Sequence, residues 1–195
     1  AFSSLPEAIE FPSAGGLSAH AFFYPPHHRN VAAPAGDKPP LLVMGHGGPT
    51  SMATNAYRAG VQYWTSRGIA VLDVNYRGST GKGVAFSKLG QGEPAGKEFD
   101  DLVDAVDHFV NSGLVDRAKV GITGGSYGGY ASAWGATYYT ERFAASVMFV
   151  GISNTVSKVG TTDIANEEFY VHARKRPWDD WQLMLDRSPV YHAAK

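Results

Sequence analysis

The chain has 195 residues, enough for one domain with a substantial buried core, and its 44% hydrophobic and 18% charged content are typical of a globular protein. The formal net charge of −1 and the absence of a long apolar run give no indication of a nucleic-acid or membrane partner. The chain has no cysteine, which excludes disulfides, thiolate catalysis and cysteine-bound metal, and no other metal or cofactor site is predicted.

Apolar runs predict the strands of one sheet. Residues 8–11 and 19–24 are expected to form two strands around a Ser-Ala-Gly-Gly turn. Short continuous apolar runs, typical of strands buried on both faces of a parallel sheet, follow at residues 41–44, 69–74, 118–123 and 143–150.

Helical patterns alternate with these strands. The clearest covers residues 98–111, where apolar residues recur at spacings of three and four, acids crowd the first turn and Gly113 follows the end. Further helices are expected at residues 55–66, 130–139 and about 178–185. Strands alternating with helices over short connections predict an α/β domain, a mostly parallel sheet with helices on both faces. No linker divides residues 1–195, so a single domain is predicted.

Three glycine-bearing loops follow three of the predicted parallel strands, at residues 45–50, 75–83 and 124–130. Ligands bind beyond the carboxyl ends of the strands in such a sheet, so these loops are expected to converge. Residues 124–128, Gly-Gly-Ser-Tyr-Gly, match G-x-S-x-G, the nucleophile elbow, in which a sharp strand-to-helix turn exposes a serine hydroxyl. The sequence therefore predicts Ser126 as a catalytic nucleophile.

An acyl-transfer serine also needs N–H donors for the oxyanion. In the elbow geometry one donor is the N–H of the next residue, here Tyr127, and the second comes from an earlier loop. Pro49 has no N–H, so Gly47 or Gly48 is expected to supply the second donor. His46 is set aside as the triad base, because the elbow fold orders its triad as serine, acid, histidine.

Three other motifs have weaker interpretations. The loop at residues 75–83 lacks the first glycine and the final Ser or Thr of a phosphate-binding loop. The elbow lacks a dinucleotide-loop glycine, because Tyr130 stands at that position. His27 and His28 have no further ligands at suitable spacing, so a solvated loop is the better interpretation than a metal site.

Taken together, these motifs resemble the catalytic domain of the prolyl oligopeptidase family of serine peptidases, above all its bacterial dipeptidyl-peptidase and acylaminoacyl-peptidase branch. The matching residues are 45–49, 73–81, 101, 113–116, 124–130 and 187–189. The resemblance implies an α/β-hydrolase fold and hydrolysis of short peptides through an acyl-enzyme on Ser126. It implies an oxyanion hole made by Tyr127 N–H and a backbone N–H of Gly47 or Gly48.

The resemblance also gives finer expectations. It places Ile152, and with less support His46, near the substrate pocket. Some relatives have a tyrosine hydroxyl at the position of His46, and this chain does not, so a backbone donor is favoured. Arg77 and Asp101 are expected to form a structural pair beneath the active-site edge, although a solvated Asp101 on an acidic helix face is an alternative.

The family pattern is incomplete in this sequence. Its acid and histidine lie in later loops, further from the serine than the 69 residues that follow Ser126 here. The tail, residues 151–195, contains acids and histidines, but none of them lies at the end of a recognisable strand. These residues are Asp163, Asp179, Asp180, Asp186, His172 and His192. We therefore expect the triad acid and histidine to lie beyond Lys195, and the domain to be truncated on its C-terminal side and inactive alone. The family's β-propeller is not recognisable either.

Two other functions stay open. An esterase could use the same elbow, although His-Gly-Gly-Pro followed by Asn-Tyr-Arg-Gly-Ser-Thr-Gly favours a peptidase. Alternatively, the chain is a non-catalytic fragment whose missing sheet edge exposes apolar surface. Such a fragment would self-associate or bind a complementary C-terminal piece. The sequence does not indicate a compartment.

Overall fold

The computed structural model describes residues 3–195, and six strands in them form one sheet. The strands are β1 (Glu7–Ser13), β2 (Leu17–Tyr24), β3 (Leu41–Gly45), β4 (Ala70–Asn75), β5 (Val120–Gly125) and β6 (Ala145–Phe149). Their order in space is β1-β2-β4-β3-β5-β6. The two first strands are antiparallel to their neighbours, and the pairs from β4 to β6 are parallel. The predicted mostly parallel sheet is confirmed.

In the described residues, helices lie between the parallel strands and also follow β6. They are α1 (Ala59–Thr65), α2 (Val84–Ser87), α3 (Lys97–Asn111), α4 (Tyr127–Thr137), α5 (Thr155–Thr161) and α6 (Trp181–Asp186). Three single helical turns complete the secondary structure of the described residues. Two are 3-10 turns, at Arg117–Lys119 and Pro189–His192, and one is a π-turn, at Glu168–His172. Helix α3 matches its prediction closely, while α1 and α6 are shorter than predicted. Helix α4 begins three residues earlier than predicted, directly after Ser126.

The helices cover both faces of the sheet. Leu72 of β4 belongs to the main core beneath α3 and α4, with Phe99 and Trp134. The preceding residue of the strand, Val71, packs with Tyr24 and with Val61 of α1 in a second cluster. Neighbouring strand residues point to opposite faces, so α1 lies on the face opposite α3 and α4. The predicted arrangement of helices on both faces is confirmed.

Strand β6 differs from its prediction. The apolar run at residues 143–150 predicted a buried strand. Among residues 3–195, however, β6 is an edge strand that pairs with β5 alone, and Val147 and Phe149 are 63% and 68% exposed. Helix α4 covers one of its faces, where Ser146 Oγ donates a 2.6 Å hydrogen bond to Ser132 O. Val147 and Phe149 lie on the opposite face, which no helix covers within the described residues. Hydrophobicity predicted the strand but not its place in the sheet.

Across residues 3–195, no helix combines the length and the apolar character needed to cross a membrane.

Candidate active site

The turn between β5 and α4 has the geometry of a nucleophile elbow. Ser126 is the single residue between the last residue of β5 and the first residue of α4, and it is exposed. Its φ of 56° and ψ of −116° lie in a region that residues with a side chain rarely occupy. Its N–H donates a 3.1 Å hydrogen bond to Phe149 O at the end of β6. The strand–serine–helix geometry is present, and the catalytic role of Ser126 stays a prediction.

Glycines allow α4 to lie against β3 with direct backbone contact. A Cβ added to Gly128 would lie 2.0 Å from Gly45 O, and one added to Gly124 would lie 2.4 Å from the same oxygen. Both distances are too short for any real side chain, because non-bonded carbon and oxygen atoms do not approach so closely. The motif's glycines are therefore required by the packing of α4 on the sheet, and this packing places Ser126 at the carboxyl edge.

The loop that follows β3, residues 45–50, lies beside Ser126. A Cβ built on Gly47 would be 3.4 Å from Ser126 Cβ and 3.9 Å from Ser126 Oγ. Within residues 3–195, the N–H groups of Gly47, Gly48 and Tyr127 donate no hydrogen bond. The Tyr127 N–H is free because the first N–H groups of a helix have no partner within it. Unpaired backbone donors are thus present in the loop beside Ser126 and in the residue that follows it.

His46 is engaged within its own loop. Its Nδ1 lies 2.7 Å from Gly47 O, its Nε2 lies 2.7 Å from Ser79 Oγ, and its ring stacks on Tyr76 at 4.4 Å. Burial lowers the pKa of His46 and outweighs the opposing effect of the Gly47 bond. The ring is therefore neutral near pH 7, and both its nitrogens face groups other than Ser126. These contacts agree with setting His46 aside as the base, while its contact with substrate stays a prediction.

Ser126 Oγ makes no hydrogen bond to any residue in the described range 3–195. The two tail histidines are engaged elsewhere, His172 Nε2 at 3.3 Å from Gly48 O and His192 Nε2 donating to Asp186 O at 2.8 Å. The location of the triad acid and histidine beyond Lys195 stays a prediction.

Below the elbow, the side chain of Tyr127 is fixed by a buried carboxyl group. Tyr127 Oη donates to Glu98 Oε1 at 2.7 Å, and Glu98 Oε2 accepts from Gly96 N at 3.1 Å. Glu98 is only 1% exposed, and this burial raises its pKa to about 7 despite the hydrogen bonds that oppose the shift. The sequence identified Glu98 only as one of the acids in the first turn of a helix. No local pattern distinguished the carboxyl that bonds to Tyr127 from the other acids of this helix.

Arg77 and Asp101 form a buried ion pair at the sheet edge. Arg77 Nη2 lies 2.6 Å from Asp101 Oδ1, its Nε donates to both carboxylate oxygens, and its backbone N–H donates to Oδ2 at 2.7 Å. Ser13 Oγ also donates to the Asp101 carboxylate and links β1 to the pair. The predicted structural pairing is confirmed, and the alternative of a solvated Asp101 is wrong because its side chain is 0% exposed.

Two features of the tail lie near this site. Ile152 follows β6 and is half-buried against the main core, and its place in a substrate pocket stays a prediction. Lys158, Glu168 and His172 form a buried charged cluster that the sequence did not identify. The four-residue spacing of Glu168 and His172, which places two side chains on one face of a helical turn, was the available signal.

Comparison with known proteins agrees with this geometry. Residues 55–195 match the model of the prolyl oligopeptidase family. Dipeptidyl aminopeptidase BIII of Pseudoxanthomonas mexicana is 40% identical over 159 residues, which are 79% of this chain and 23% of that protein.

Solved structures give the same result for the fold. A crystal structure of puromycin hydrolase superposes with a TM-score of 0.92 at 31% identity, over 98% of this chain and 29% of that one. An acylaminoacyl peptidase in complex with Z-Gly-Gly-Phe-chloromethyl ketone has a TM-score of 0.86 at 26% identity, over 97% of this chain and 30% of that one. The chain thus spans less than a third of the length of these relatives. It has the α/β-hydrolase fold and belongs to the prolyl oligopeptidase family.

Proposed function

We propose that Ser126 is the nucleophile of a serine peptidase that hydrolyses short peptides through an acyl-enzyme. The main support is the position of Ser126, an exposed hydroxyl on a strained turn between β5 and α4, with unpaired backbone N–H groups beside it. Attack on the scissile carbonyl would form an ester between Ser126 Oγ and the acyl part of the peptide and release the amine. Water would then hydrolyse that ester and regenerate the hydroxyl.

The oxyanion hole in this proposal is formed by Tyr127 N–H and Gly48 N–H. Gly47 O is bonded to His46 Nδ1, and the C=O and N–H of a trans peptide point in opposite directions. The Gly48 N–H, which belongs to the same peptide group, therefore points away from the His46 ring. Gly47 N–H is the alternative second donor, because Gly47 lies against Ser126. Removal of one such donor typically costs about 3–4 kcal/mol of transition-state stabilisation.

The proposed mechanism takes its histidine and acid from sequence beyond Lys195. Support comes from Ser126 Oγ, which has no hydrogen-bond partner among residues 3–195, and from the tail histidines, whose Nε2 atoms face backbone carbonyls. The relatives that match the chain are more than three times as long as the matched segment. The corresponding prediction is that residues 1–195 alone turn over little or no peptide substrate.

The proposal that the substrates are peptides rests on the names of the relatives and not on the pocket of this chain. The relatives bear the names dipeptidyl aminopeptidase and acylaminoacyl peptidase, and one was solved with a peptidyl chloromethyl ketone. In this chain, Ile152 and His46 are proposed to border the pocket for the residue before the scissile bond.

One observation favours a second role for the isolated chain. The exposed face of β6, with Val147 and Phe149, is apolar, and the strand has an unpaired edge. Unpaired strand edges bind further strands. We propose that a complementary C-terminal segment covers this edge, and that residues 1–195 alone self-associate through it.

Active-site labelling tests the proposed nucleophile. The natural full-length protein is treated with a fluorophosphonate, and the modified residue is identified by mass spectrometry. Modification at Ser126 is expected, and Ser126→Ala should reduce the turnover of aminoacyl and peptidyl chromogenic substrates at least about 1,000-fold. Ser66→Ala is the matched control and should change neither result, because Ser66 is a partly buried serine whose Oγ bonds only to groups in and beside α1.

Two outcomes would contradict the proposals separately. Modification at another residue, or an active Ser126→Ala variant, would show that Ser126 is not the nucleophile. Peptidase-like turnover by residues 1–195 alone, lost in Ser126→Ala, would instead show that the chain contains its own acid and base. An ester and an amide of the same acyl group, compared in the same assay, distinguish a peptidase from an esterase.

A further inference from the structure

A buried charged cluster in the tail reaches the loop beside Ser126. Lys158 extends from α5, and Glu168 and His172 lie at the two ends of the π-turn. Glu168 and His172 are each 2% exposed, and Lys158 is largely buried. Charged side chains are rarely buried without paired partners, so a cluster of this kind needs a specific explanation.

The three side chains bond to one another. Lys158 Nζ lies 3.1 Å from Glu168 Oε2 and 2.9 Å from His172 Nδ1, and His172 Nδ1 lies 3.2 Å from Glu168 Oε2. Burial alone would raise the pKa of Glu168, but the His172 bond and the Lys158 charge together lower it below its ordinary value. Glu168 is therefore an anion at neutral pH. Its charge and the lysine fix the orientation of the His172 ring.

The contacts of His172 determine which nitrogen has the proton. If the ring is neutral, the Lys158 ammonium donates to Nδ1 and the proton is on Nε2. If the ring is charged, Nδ1–H donates to Glu168 and Nε2 again has a proton. In both states Nε2–H donates to Gly48 O, 3.3 Å away, a carbonyl oxygen that can only accept. The direction of this hydrogen bond is the same in either protonation state.

This bond completes a pattern in the 45–50 loop. Tyr76 Oη donates to His46 O at 2.6 Å, His46 Nδ1 donates to Gly47 O at 2.7 Å, and His172 Nε2 donates to Gly48 O. Three consecutive carbonyls of the loop thus accept hydrogen bonds from side chains. The N–H groups of Gly47 and Gly48, which belong to the first two of these peptide groups, stay unpaired within residues 3–195.

The third of these carbonyls needs a donor from outside the loop. Gly48 has a φ of +119°, a conformation open to glycine, and it has no side chain that would restrict rotation. Gly47 O belongs to the peptide group before the Gly48 Cα, and Gly48 O belongs to the peptide group after it. Hydrogen bonds to both oxygens therefore fix both peptide groups that meet at Gly48. His172 also contacts Tyr127, with 4.8 Å between ring centroids, so one side chain touches both residues of the proposed oxyanion hole.

We infer that His172 is a positioning residue whose Nε2–H fixes the Gly48 carbonyl and thereby the direction of the backbone donor that faces the oxyanion. The inference rests on the proposed function of Ser126 and extends it. Lys158 and Glu168 act one step further away, because they orient the His172 ring. His172 itself does not touch the reacting atoms. The tail therefore supplies a hydrogen bond that orders the loop beside Ser126.

Two substitutions of His172 separate its nitrogens. His172→Gln places an amide NH₂ near the position of Nε2, so it can still donate to Gly48 O. His172→Asn reaches only the position of Nδ1 and loses that donor. His192→Asn is the matched control, because His192 is another tail histidine whose Nε2 donates to a backbone carbonyl, Asp186 O, away from the loop. All are made in the natural full-length protein, and kcat and KM are measured with a peptidyl chromogenic substrate.

The positioning role predicts a specific pattern. His172→Asn should lower kcat about 10- to 100-fold with KM within about twofold, since a misplaced donor weakens binding of the transition state more than of the substrate. His172→Gln should recover kcat to within about threefold of the wild type, and His192→Asn should match the wild type. Equal losses in the Gln and Asn variants, or a kcat in His172→Asn within twofold of the wild type, would overturn the inference.

A readout that does not depend on activity separates this inference from the proposed function. The amides of Ser51, bonded to Pro49 O, and of Thr80, bonded to Ser51 O, report the order of the loop by hydrogen exchange. Both should exchange faster in His172→Asn than in His172→Gln, whether or not Ser126 is the nucleophile. Unchanged exchange would overturn the inference. Should His172→Asn fail to fold, His172→Phe, which keeps the ring contact with Tyr127 but has no donor, replaces it with the same expected loss of kcat and the same faster exchange.

Discussion

The elbow, residues 124–130, and the tail, residues 151–195, are ordered by different forces. In the elbow, backbone lies directly on backbone, and Gly124 and Gly128 approach Gly45 O more closely than any side chain permits. In the tail beyond Gly151, which itself lies directly against Gly129, side-chain bonds replace that contact. For example, Ser188 Oγ accepts from Thr155 N at 3.0 Å and donates to Met184 O at 2.7 Å. The elbow is therefore sensitive to added volume, and the tail is sensitive to lost donors and charges.

The largest effect is expected from added volume in the elbow. In Gly128→Ala the new Cβ would lie 2.0 Å from Gly45 O and 2.6 Å from Gly45 C, so β3 and α4 must separate. The free energy of unfolding should fall by more than about 3 kcal/mol, the upper end of ordinary overpacking. Urea unfolding measures the change.

Gly60→Ala provides the matched control for this prediction. Gly60 is an exposed glycine in α1, and a Cβ there would meet nothing within 4 Å. Alanine favours the helix over glycine, so the free energy of unfolding should rise by up to about 1 kcal/mol. A Gly128→Ala variant as stable as the wild type would show that close backbone packing does not order the elbow.

A charge change should have the next largest effect, in the tail. Lys158→Met removes the ammonium beside Glu168, whose Oε1 already has no hydrogen-bond partner in the described residues. The buried carboxylate would lose a charged partner, at a cost of about 3 kcal/mol in the free energy of unfolding at pH 7. The native stability from Glu168 is present above its ordinary pKa and is lost as the pH falls through its lowered pKa, so the deficit should shrink in acid.

Lys175→Met is the control for the tail. Lys175 Nζ lies 2.7 Å from Asp180 Oδ2, a contact as short as those of the buried cluster, but the lysine side chain is 48% exposed. Exposed ion pairs contribute little, so the loss should stay below about 1 kcal/mol. Equal losses in the free energy of unfolding in Lys158→Met and Lys175→Met would show that the buried ion pair contributes no more than the exposed one.

The smallest effect concerns Glu98, the buried carboxyl below the elbow. Its pKa in the folded chain, about 7, exceeds the ordinary value, so its contribution to stability is fully present below the ordinary pKa and is lost as the pH rises to about 7. Glu98→Gln removes the titration and keeps an acceptor for Tyr127 Oη. Between pH 5 and pH 8 the wild type should lose about 2 kcal/mol relative to Glu98→Gln.

The comparison with Glu98→Gln isolates this group from other carboxyls. Asp73 is also buried, which raises its pKa to about 6 despite its ion pair with Arg58. Its titration changes the free energy of unfolding with the same sign in the wild type and in Glu98→Gln. Urea unfolding at the two pH values gives the difference. Parallel pH profiles for the wild type and Glu98→Gln would contradict the raised pKa of Glu98.

Much of the sheet could be predicted because its signals are local. Continuous apolar runs gave β3, β4 and β5, and the glycine spacing of residues 124–128 gave the turn between β5 and α4. The start of α4 was missed because Tyr127, Gly128 and Gly129 do not resemble a helical sequence. Their place is set by the packing of α4 on β3, which only the assembled sheet determines.

Long-range partners could not be predicted in the same way. Glu98 and Tyr127 are 29 residues apart, and His172 and Gly48 are 124 residues apart. Nothing in the local sequence distinguishes Glu98 from the other acids beside it, or His172 from His192. The apolar run of β6 predicted a buried strand and not its edge position, because such a run gives no information about how many neighbours a strand has; only the hypothesis of a fragment with a missing sheet edge anticipated the exposed apolar surface.

The bond from Ser126 N–H to Phe149 O links the serine to the edge strand. Edge strands open locally at a free energy well below that of global unfolding, because only one side is hydrogen-bonded. If the end of β6 frays in residues 1–195 alone, the backbone of Ser126 loses this partner. The rigidity of the serine turn in residues 1–195 alone should therefore depend on the order of β6, and the exchange rate of the Ser126 amide would measure that motion directly.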